Sequence, residues 1–140
     1  MRSLVIGGTL FIGRALVQRL LERGDDVTIV HRGTQNPFGD SVRELHADRN
    51  DRGRMRQLVS EGAYELVFDN VYDWARGTTA EQVRAAAESC GDSLVRYVFT
   101  SSVAAYGSGL NHEEDDPLAP ADDPDLYCRN KAESERALLA

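Results

Sequence analysis

Residues 3–13 read Ser-Leu-Val-Ile-Gly-Gly-Thr-Leu-Phe-Ile-Gly, an apolar run that passes directly into a turn bounded by glycines. Apolar residues then recur with helical spacing as far as Gly24, and a second run rich in β-branched residues follows at 27–30. Strand, glycine turn, helix and strand make a βαβ unit. Its two strands are parallel, and its crossover is almost always right-handed.

The glycine turn lies at the start of the predicted helix, where free backbone amides and the positive end of the helix dipole attract phosphate. In a βαβ unit of this kind the phosphate group is the pyrophosphate of a dinucleotide cofactor. The alternative is a turn that needs glycine only for its tight geometry. The cofactor contacts predicted in the turn are Gly7, Thr9, Leu10, Phe11, Ile12 and Gly13.

Three more apolar runs predict strands at 42–46, 65–69 and 94–100, and helical patterns occur at 51–60 and 79–90. Together with the first unit they predict an α/β fold: a Rossmann-like, doubly wound and mostly parallel sheet with the expected order 3-2-1-4-5. In this interpretation the 140 residues form one dinucleotide-binding domain.

A tyrosine and a lysine, Tyr127 and Lys131, lie four residues apart where the last helical pattern begins. Residues at this spacing share one face of a helix. A phenol with an ordinary pKa of about 10 is a poor base at neutral pH, but a neighbouring cation favours the phenolate. Lys131 is the only lysine among 16 basic residues. The pair is a candidate acid–base site, and a chance pairing on a helix is the alternative.

Composition argues against several functions. The net charge of −7 leaves no evident basic face for nucleic acid. Cys90 and Cys128 form neither a disulfide framework nor a metal-ligand spacing, so we predict no metal site and a reducing, cytoplasmic location. No run approaches about 18 apolar residues, and the N-terminus lacks a signal-peptide pattern, so we expect neither membrane insertion nor secretion.

The turn at residues 7–13 resembles the opening of the short-chain dehydrogenase/reductase superfamily, in the extended branch of NAD-dependent epimerases and dehydratases. Those proteins carry Gly-x-x-Gly-x-x-Gly, which Gly7 and Gly13 match. Leu10 replaces the middle glycine, as in an atypical subgroup whose turn reads Gly-Gly-Thr-x-Phe-Ile-Gly. The resemblance extends over nearly all 140 residues, but extended members are about twice as long. It therefore implies that the C-terminal half and its substrate domain are missing.

The resemblance also implies roles for individual residues. Tyr127 would be the general acid or base of a hydride-transfer reaction, and Lys131 would favour the phenolate and hold the nicotinamide ribose. Ser102, at the end of the fifth strand, would polarise the substrate oxygen. The other cofactor contacts implied by the resemblance are Asp48, Asn70, Val71 and Thr100, in addition to Tyr127 and Lys131.

The second strand ends at His31 and Arg32, where dinucleotide folds place an acid for the 2′-hydroxyl of NAD or an arginine for the 2′-phosphate of NADP. No carboxylate lies there, and the planar guanidinium of Arg32 suits a phosphate. A solvated loop arginine is the alternative. We therefore predict that His31 and Arg32 belong to a site that prefers NADP(H) over NAD(H).

The substrate implied by the resemblance is a nucleotide-linked sugar, converted by a longer NAD(P)-dependent epimerase, dehydratase or reductase. The 140-residue chain alone is expected to bind cofactor weakly, to lack turnover, and to form a homo-oligomer through the fifth strand's open edge or through helices 79–90 and 127–140. One alternative is a non-catalytic regulatory or RNA-associated protein, since the atypical subgroup resembles chloroplast stem-loop-binding proteins. Another is a bare nucleotide-binding fragment.

Overall fold

A computed structural model describes all 140 residues of the chain. Five parallel strands form one sheet in the order β3-β2-β1-β4-β5, which confirms the predicted topology. In chain order the elements are β1 Arg2–Ile6, α1 Phe11–Glu22, β2 Asp26–His31, β3 Arg43–His46, α2 Arg52–Glu61, β4 Leu66–Asp69, α3 Ala80–Ala87, β5 Arg96–Phe99 and α4 Leu126–Leu139, with short 3-10 helices at Gly39–Ser41 and Val103–Tyr106.

The central strand β1 explains why the sheet is covered on both faces. Successive strand residues point to opposite faces, so Leu4 and Ile6 face one side and Val5 the other. The first side packs against α2, and the second packs against α1. The two core clusters are Leu4, Ile6, Val30, Met55, Leu58, Val59, Tyr64, Val67 and Ala86, and Val5, Val17, Leu20, Val27, Ile29 and Val42.

Two elements are shorter in the structure than the sequence predicts. The helix expected to reach residue 90 ends at Ala87, because the amides of Ser89 and Cys90 donate to carbonyls three residues earlier rather than four. The fifth strand was expected from residue 94, but the amide of Leu94 donates to the carbonyl of Gly91 in a turn, and the strand begins two residues later. Strand β5 is an edge of the sheet. Self-association through this edge stays a prediction, which light scattering at high concentration tests.

The chain divides into two compact units. Residues 1–71 and 85–100 form the first unit, which contains the whole sheet. Residues 72–84 and 101–140 form the second, in which α4 packs against the 3-10 helix Val103–Tyr106. None of the helices combines the length and the apolar character that a membrane span requires.

A buried ionic network holds the end of β4 in the first unit. The Arg49 guanidinium donates to both carboxylate oxygens of Asp69, with a distance of 2.8 Å from Nε to Oδ1. The Tyr97 hydroxyl donates to Asp69 Oδ2 at 2.7 Å. Burial first, and then the Asp69 charge, raise the pKa of Tyr97 well above its ordinary value, so the phenol stays a donor. Asp69 is thereby paired and hydrogen-bonded, as a buried charge must be.

Asp25 joins the start of β1 to the turn before β2. Its carboxylate accepts from Ser3 Oγ at 2.7 Å and from the Arg23 guanidinium at 2.5 and 3.0 Å. The hydrogen bonds from Arg23 and Ser3 outweigh the effect of burial and lower the pKa of Asp25 from 3.8 to about 2. Because the folded pKa is lowered, this contribution to stability is complete above about pH 4 and is lost as the pH falls through 2.

We expect Asp25→Asn to lower the free energy of unfolding by about 1 kcal/mol at pH 7, since solvent around the half-exposed Arg23 screens part of the pair. At pH 3 the difference from the unmodified chain should shrink to about half. Urea denaturation at both pH values measures it. Asp26→Asn, at the exposed neighbouring position, is the matched control. A loss at Asp25 that does not change with pH would contradict the assignment.

Candidate functional site

The glycine turn brings backbone against backbone in the first unit. Gly7 has φ of +85°, which favours glycine, and its amide donates to the Val30 carbonyl at 2.8 Å. A Cβ at Gly13 would lie 1.9 Å from the carbonyl oxygen of Gly7, closer than any real contact. Both glycines of the motif are therefore required by the turn itself.

The structure explains why leucine can replace the middle glycine of the motif. Leu10 is the N-cap of α1 in an extended conformation, with φ of −130° and ψ of 157°, which any residue adopts. Its side chain is 67% exposed. The predicted contacts Phe11 and Ile12 are also exposed, and Phe11 has a positive φ of 44°. A side chain at position 10 thus causes no strain and no clash in this turn.

The N-terminus of α1 is suited to an anion. No side chain caps it, and no acidic residue lies in its first turn, so its amides and the dipole can act on a ligand. Arg14, which the motif did not identify, adds a cation just after the last glycine. An open pocket of about 580 Å³ lies here. It is lined by Thr9, Leu10, Arg14, Gly33, Thr34, Gln35, Asn36 and Pro37.

The ends of β2 and β3 place His31 and Arg32 in different surroundings. His31 is buried, and its Nε2 lies 2.8 Å from Glu44 Oε1. Arg32 is exposed, with Nη1 3.9 Å from Asp48 Oδ2, and Asp48 also accepts from the amide of Asn50. A long, exposed ion pair of this kind contributes little to stability.

The end of β4 presents an unsatisfied donor. Thr100 Oγ1 donates to Asn70 Oδ1 at 2.6 Å, which leaves the amide nitrogen of Asn70 buried without a partner. Leaving such a group unpaired costs about 1–3 kcal/mol. The neighbouring Val71 lies against Gly7, since a Cβ there would be 2.4 Å from Val71 Cγ2. A ligand oxygen beside the glycine turn would satisfy the amide, and the cofactor contacts at Asn70, Val71 and Thr100 stay predictions.

The second unit brings Tyr127 and Lys131 together on α4. Asp125 caps this helix by accepting from the amides of Tyr127 and Cys128 at 2.8 and 3.1 Å. The Lys131 side chain is one turn further on, and the residue is only 5% exposed. Its Nζ lies 5.8 Å from the ring centroid of Tyr127 and 5.5 Å from that of Tyr72, within cation–π range.

An aromatic cluster that sequence reasoning missed surrounds Tyr127. Its ring centroid is 4.7 Å from those of Tyr72 and Trp74, and Tyr72 lies 5.1 Å from Trp74. The Tyr72 hydroxyl accepts from Asn130 Nδ2 at 3.1 Å. The available signal in the sequence was a pair of aromatic residues, separated by one residue, just after the fourth strand. The cluster fixes the orientation of the Tyr127 ring.

Ser102 lies in the same unit as Tyr127 and Lys131. It is the N-cap of the 3-10 helix that packs against α4, and its Oγ accepts from the amide of Ala104 at 3.1 Å. Because a hydroxyl that accepts still has a proton to donate, Ser102 can serve a substrate oxygen. The adjacent Ser101 differs, because its hydroxyl proton is already used in a hydrogen bond to Glu135.

A parallel sheet in the order 3-2-1-4-5, with a glycine turn before its first helix, defines a Rossmann-like α/β fold. A sequence model of the NAD dependent epimerase/dehydratase family matches residues 3–140. The chain belongs to this family, which confirms the resemblance drawn from the sequence.

Individual relatives differ in function. The chain is 30% identical over 98% of its length to the chloroplast stem-loop binding protein of 41 kDa b from Arabidopsis thaliana, and it covers 38% of that protein. It is also 30% identical, over 76% of its length, to UDP-glucose 4-epimerase from Corynebacterium glutamicum, of which it covers 36%. The chain therefore spans well under half the length of these relatives.

Solved structures share the fold. A putative epimerase from Burkholderia cenocepacia superposes with a TM-score of 0.76 at 25% identity, and the match covers 99% of this chain and 49% of that one. The Bordetella bronchiseptica enzyme WbmG, solved with NAD and UDP, superposes with a TM-score of 0.80 at 19% identity and the same coverage. MoeE5, solved with UDP-glucose and NAD, has a TM-score of 0.76 at 26% identity and covers 99% and 48%.

The Tyr72 hydroxyl is expected to stabilise the fold by satisfying the buried amide of Asn130. Tyr72→Phe keeps the ring contacts but leaves that donor unpaired, so the free energy of unfolding should fall by about 1–2 kcal/mol. Urea denaturation followed by the fluorescence of Trp74, the only tryptophan, measures it. Tyr106→Phe is the control, because that hydroxyl donates at 3.3 Å to an exposed carbonyl, which water can replace. Equal losses in both variants would refute the assignment.

Proposed function

We propose that the protein containing this chain is an NAD(P)-dependent epimerase or dehydratase whose substrate is a nucleotide-linked sugar. The observation that carries the proposal is the buried Lys131 ammonium beside the Tyr127 ring, one helical turn away. Relatives support the substrate class, since one is a UDP-glucose 4-epimerase and a similar structure holds UDP-glucose with NAD.

In this proposal the second unit performs the proton transfer. Lys131 is buried, and its ammonium nitrogen lies 5.8 Å from the centroid of the Tyr127 ring, so it places a positive charge beside the reacting phenol. Tyr127 then takes a proton from a substrate hydroxyl, or returns one to a carbonyl. Ser102 donates a hydrogen bond to the same class of oxygen. A bound nicotinamide would supply the hydride acceptor for this chemistry.

The first unit binds the cofactor in this proposal. Amides at the start of α1 and the Arg14 guanidinium provide positive potential for its phosphates. The buried amide nitrogen of Asn70 offers a donor that no protein group uses. Asp48 stays a proposed contact for the adenine. The α1 amides and Arg14 suit the phosphates of a dinucleotide better than a neutral ligand.

The preference for NADP(H) is a finer proposal that depends on Arg32. We expect NADP⁺ to bind at least tenfold more tightly than NAD⁺, because a charge-assisted contact with the 2′-phosphate contributes about 1.5–3 kcal/mol. Calorimetry with both cofactors measures the ratio. Arg32→Ala should abolish the difference in affinity. Arg19 is an exposed arginine on α1, away from the end of β2, so Arg19→Ala should leave the difference intact. Equal affinities for the unmodified chain would end this proposal.

The proposed acid–base role of Tyr127 predicts a specific loss in an active full-length protein. Tyr127→Phe should remove nearly all turnover while cofactor affinity changes little, because the phenol transfers the proton but adds little to dinucleotide binding. Lys131→Arg should also reduce turnover strongly, because the guanidinium is bulkier than the ammonium and its donors are fixed in a plane.

Steady-state assays on a UDP-sugar, with calorimetry on the same samples, separate turnover from binding. Tyr106→Phe is the control, because its hydroxyl points to the exposed backbone of Glu114. Full activity in Tyr127→Phe would exclude Tyr127 from the mechanism. Activity lost together with cofactor affinity would indicate a binding role instead.

One observation favours a second candidate function. The match to the Arabidopsis stem-loop binding protein covers nearly the whole chain, so an RNA-associated role is the alternative. The net charge of −7 opposes it, because RNA binding depends on basic residues that neutralise phosphates. A gel-shift assay with a stem-loop RNA at low salt distinguishes the two, and a retained RNA complex would favour the alternative.

A further inference from the structure

Two histidines and a glutamate meet where β2 and β3 end. The parallel register places His31 directly beside His46. Glu44 lies two residues before His46 on the same strand, and residues at this spacing point to the same face of a sheet. Three side chains with metal-binding chemistry therefore share one face of the sheet, although they are separated in the sequence.

The ligand atoms converge. Glu44 Oε1 lies 2.8 Å from His31 Nε2 and 3.2 Å from His46 Nε2. One ligand atom from each residue lies within 4.8 Å of the other two. The second carboxylate oxygen, Oε2, accepts from Asn36 Nδ2 at 3.3 Å. Asn36 therefore orients the carboxylate so that Oε1 faces both imidazole rings, as groups behind a metal ligand commonly do.

The cluster is enclosed on one side and open on the other. The His31 side chain is only 4% exposed, and its Nδ1 is buried without a hydrogen-bond partner. The His46 side chain is 60% exposed. His31 is thus a fixed ligand at the back of the cluster, while His46 can turn toward an ion that arrives from solvent and leaves a coordination position for water.

We propose that His31 Nε2, Glu44 Oε1 and His46 Nε2 bind a divalent transition-metal ion, Zn²⁺, with water as the fourth ligand. Zinc bonds of about 2.0–2.2 Å to nitrogen and oxygen place tetrahedral ligands about 3.3 Å apart. The observed separations from Oε1 are close to that value, so side-chain adjustment alone closes the site. Two imidazoles and one carboxylate are a donor set that zinc uses when one position stays open.

The cysteines do not compete for the ion. Burial raises the pKa of Cys90 to about 11, so its thiol is protonated at neutral pH. Burial, followed by the charge of Asp125, also raises the pKa of Cys128. Because metals bind the thiolate, neither sulfur is a good ligand. The proposed metal binding does not depend on the proposed enzymatic function.

Titration of the chelator-treated chain with Co²⁺, followed by displacement with Zn²⁺, tests the proposal. We expect one Co²⁺ per chain with visible d–d absorption, displaced by one equivalent of Zn²⁺. Glu44→Gln and His46→Gln should weaken binding at least about 100-fold, and Asn36→Ala about tenfold. The third histidine of the chain offers a matched control, because His112→Gln should bind with unchanged affinity.

Several results would overturn the proposal: no absorption or heat at millimolar Co²⁺, equal affinity in the Glu44 and His46 variants, or sulfur-to-cobalt charge-transfer absorption. X-ray absorption at the zinc edge of the unmodified, zinc-loaded chain gives a test that needs no folded variant. Two imidazoles with oxygen ligands are expected there. A spectrum with sulfur, or with fewer than two imidazoles, would place the ion elsewhere.

Discussion

The carbonyl oxygen of Gly7 occupies the space that a side chain at residue 13 would need. This backbone contact sets how closely α1 can follow β1, and it places the uncapped start of the helix at the carboxyl edge of the sheet. The pocket beside the turn, with Arg14 on its wall, depends on that arrangement. Leu10 departs from the family pattern without backbone strain, because its backbone is extended and its side chain is exposed.

The polar side chains at the ends of the other strands are positioned by ion pairs and hydrogen bonds with one another. The Arg49–Asp69–Tyr97 network neutralises a buried carboxylate at the last residue of β4. The side-chain oxygen of the next residue, Asn70, accepts from Thr100, while its amide nitrogen has no partner. On the other side of β1, the ends of β2 and β3 carry the convergent His31, Glu44 and His46 side chains. The same edge of the sheet therefore offers several recognition groups of different chemistry.

Local patterns in the sequence predicted most of the fold. Apolar runs, the glycine turn and the Tyr127–Lys131 spacing each depend on residues close in sequence, and the strand order follows from βαβ rules. The ends of helices and strands were less predictable. Helix α3 ends at Ala87, where the hydrogen-bond pattern changes, but the helical spacing of apolar residues continues past that point and so does not mark the end. The aromatic contacts of Tyr72 and the meeting of His31 with His46 depend on tertiary packing and strand register, which no single stretch encodes.

The central claim is that residues 7–14 bind the phosphates of a dinucleotide. Titration of the ¹⁵N-labelled chain with NADP⁺, followed by amide NMR spectra, tests it most directly. The account predicts that the backbone amides from Gly7 to Arg14 shift together with the Asn70 side-chain amide, and that all follow one binding curve. Binding detected by calorimetry while these amides stay unchanged would contradict the account, because the ligand would then occupy a different surface.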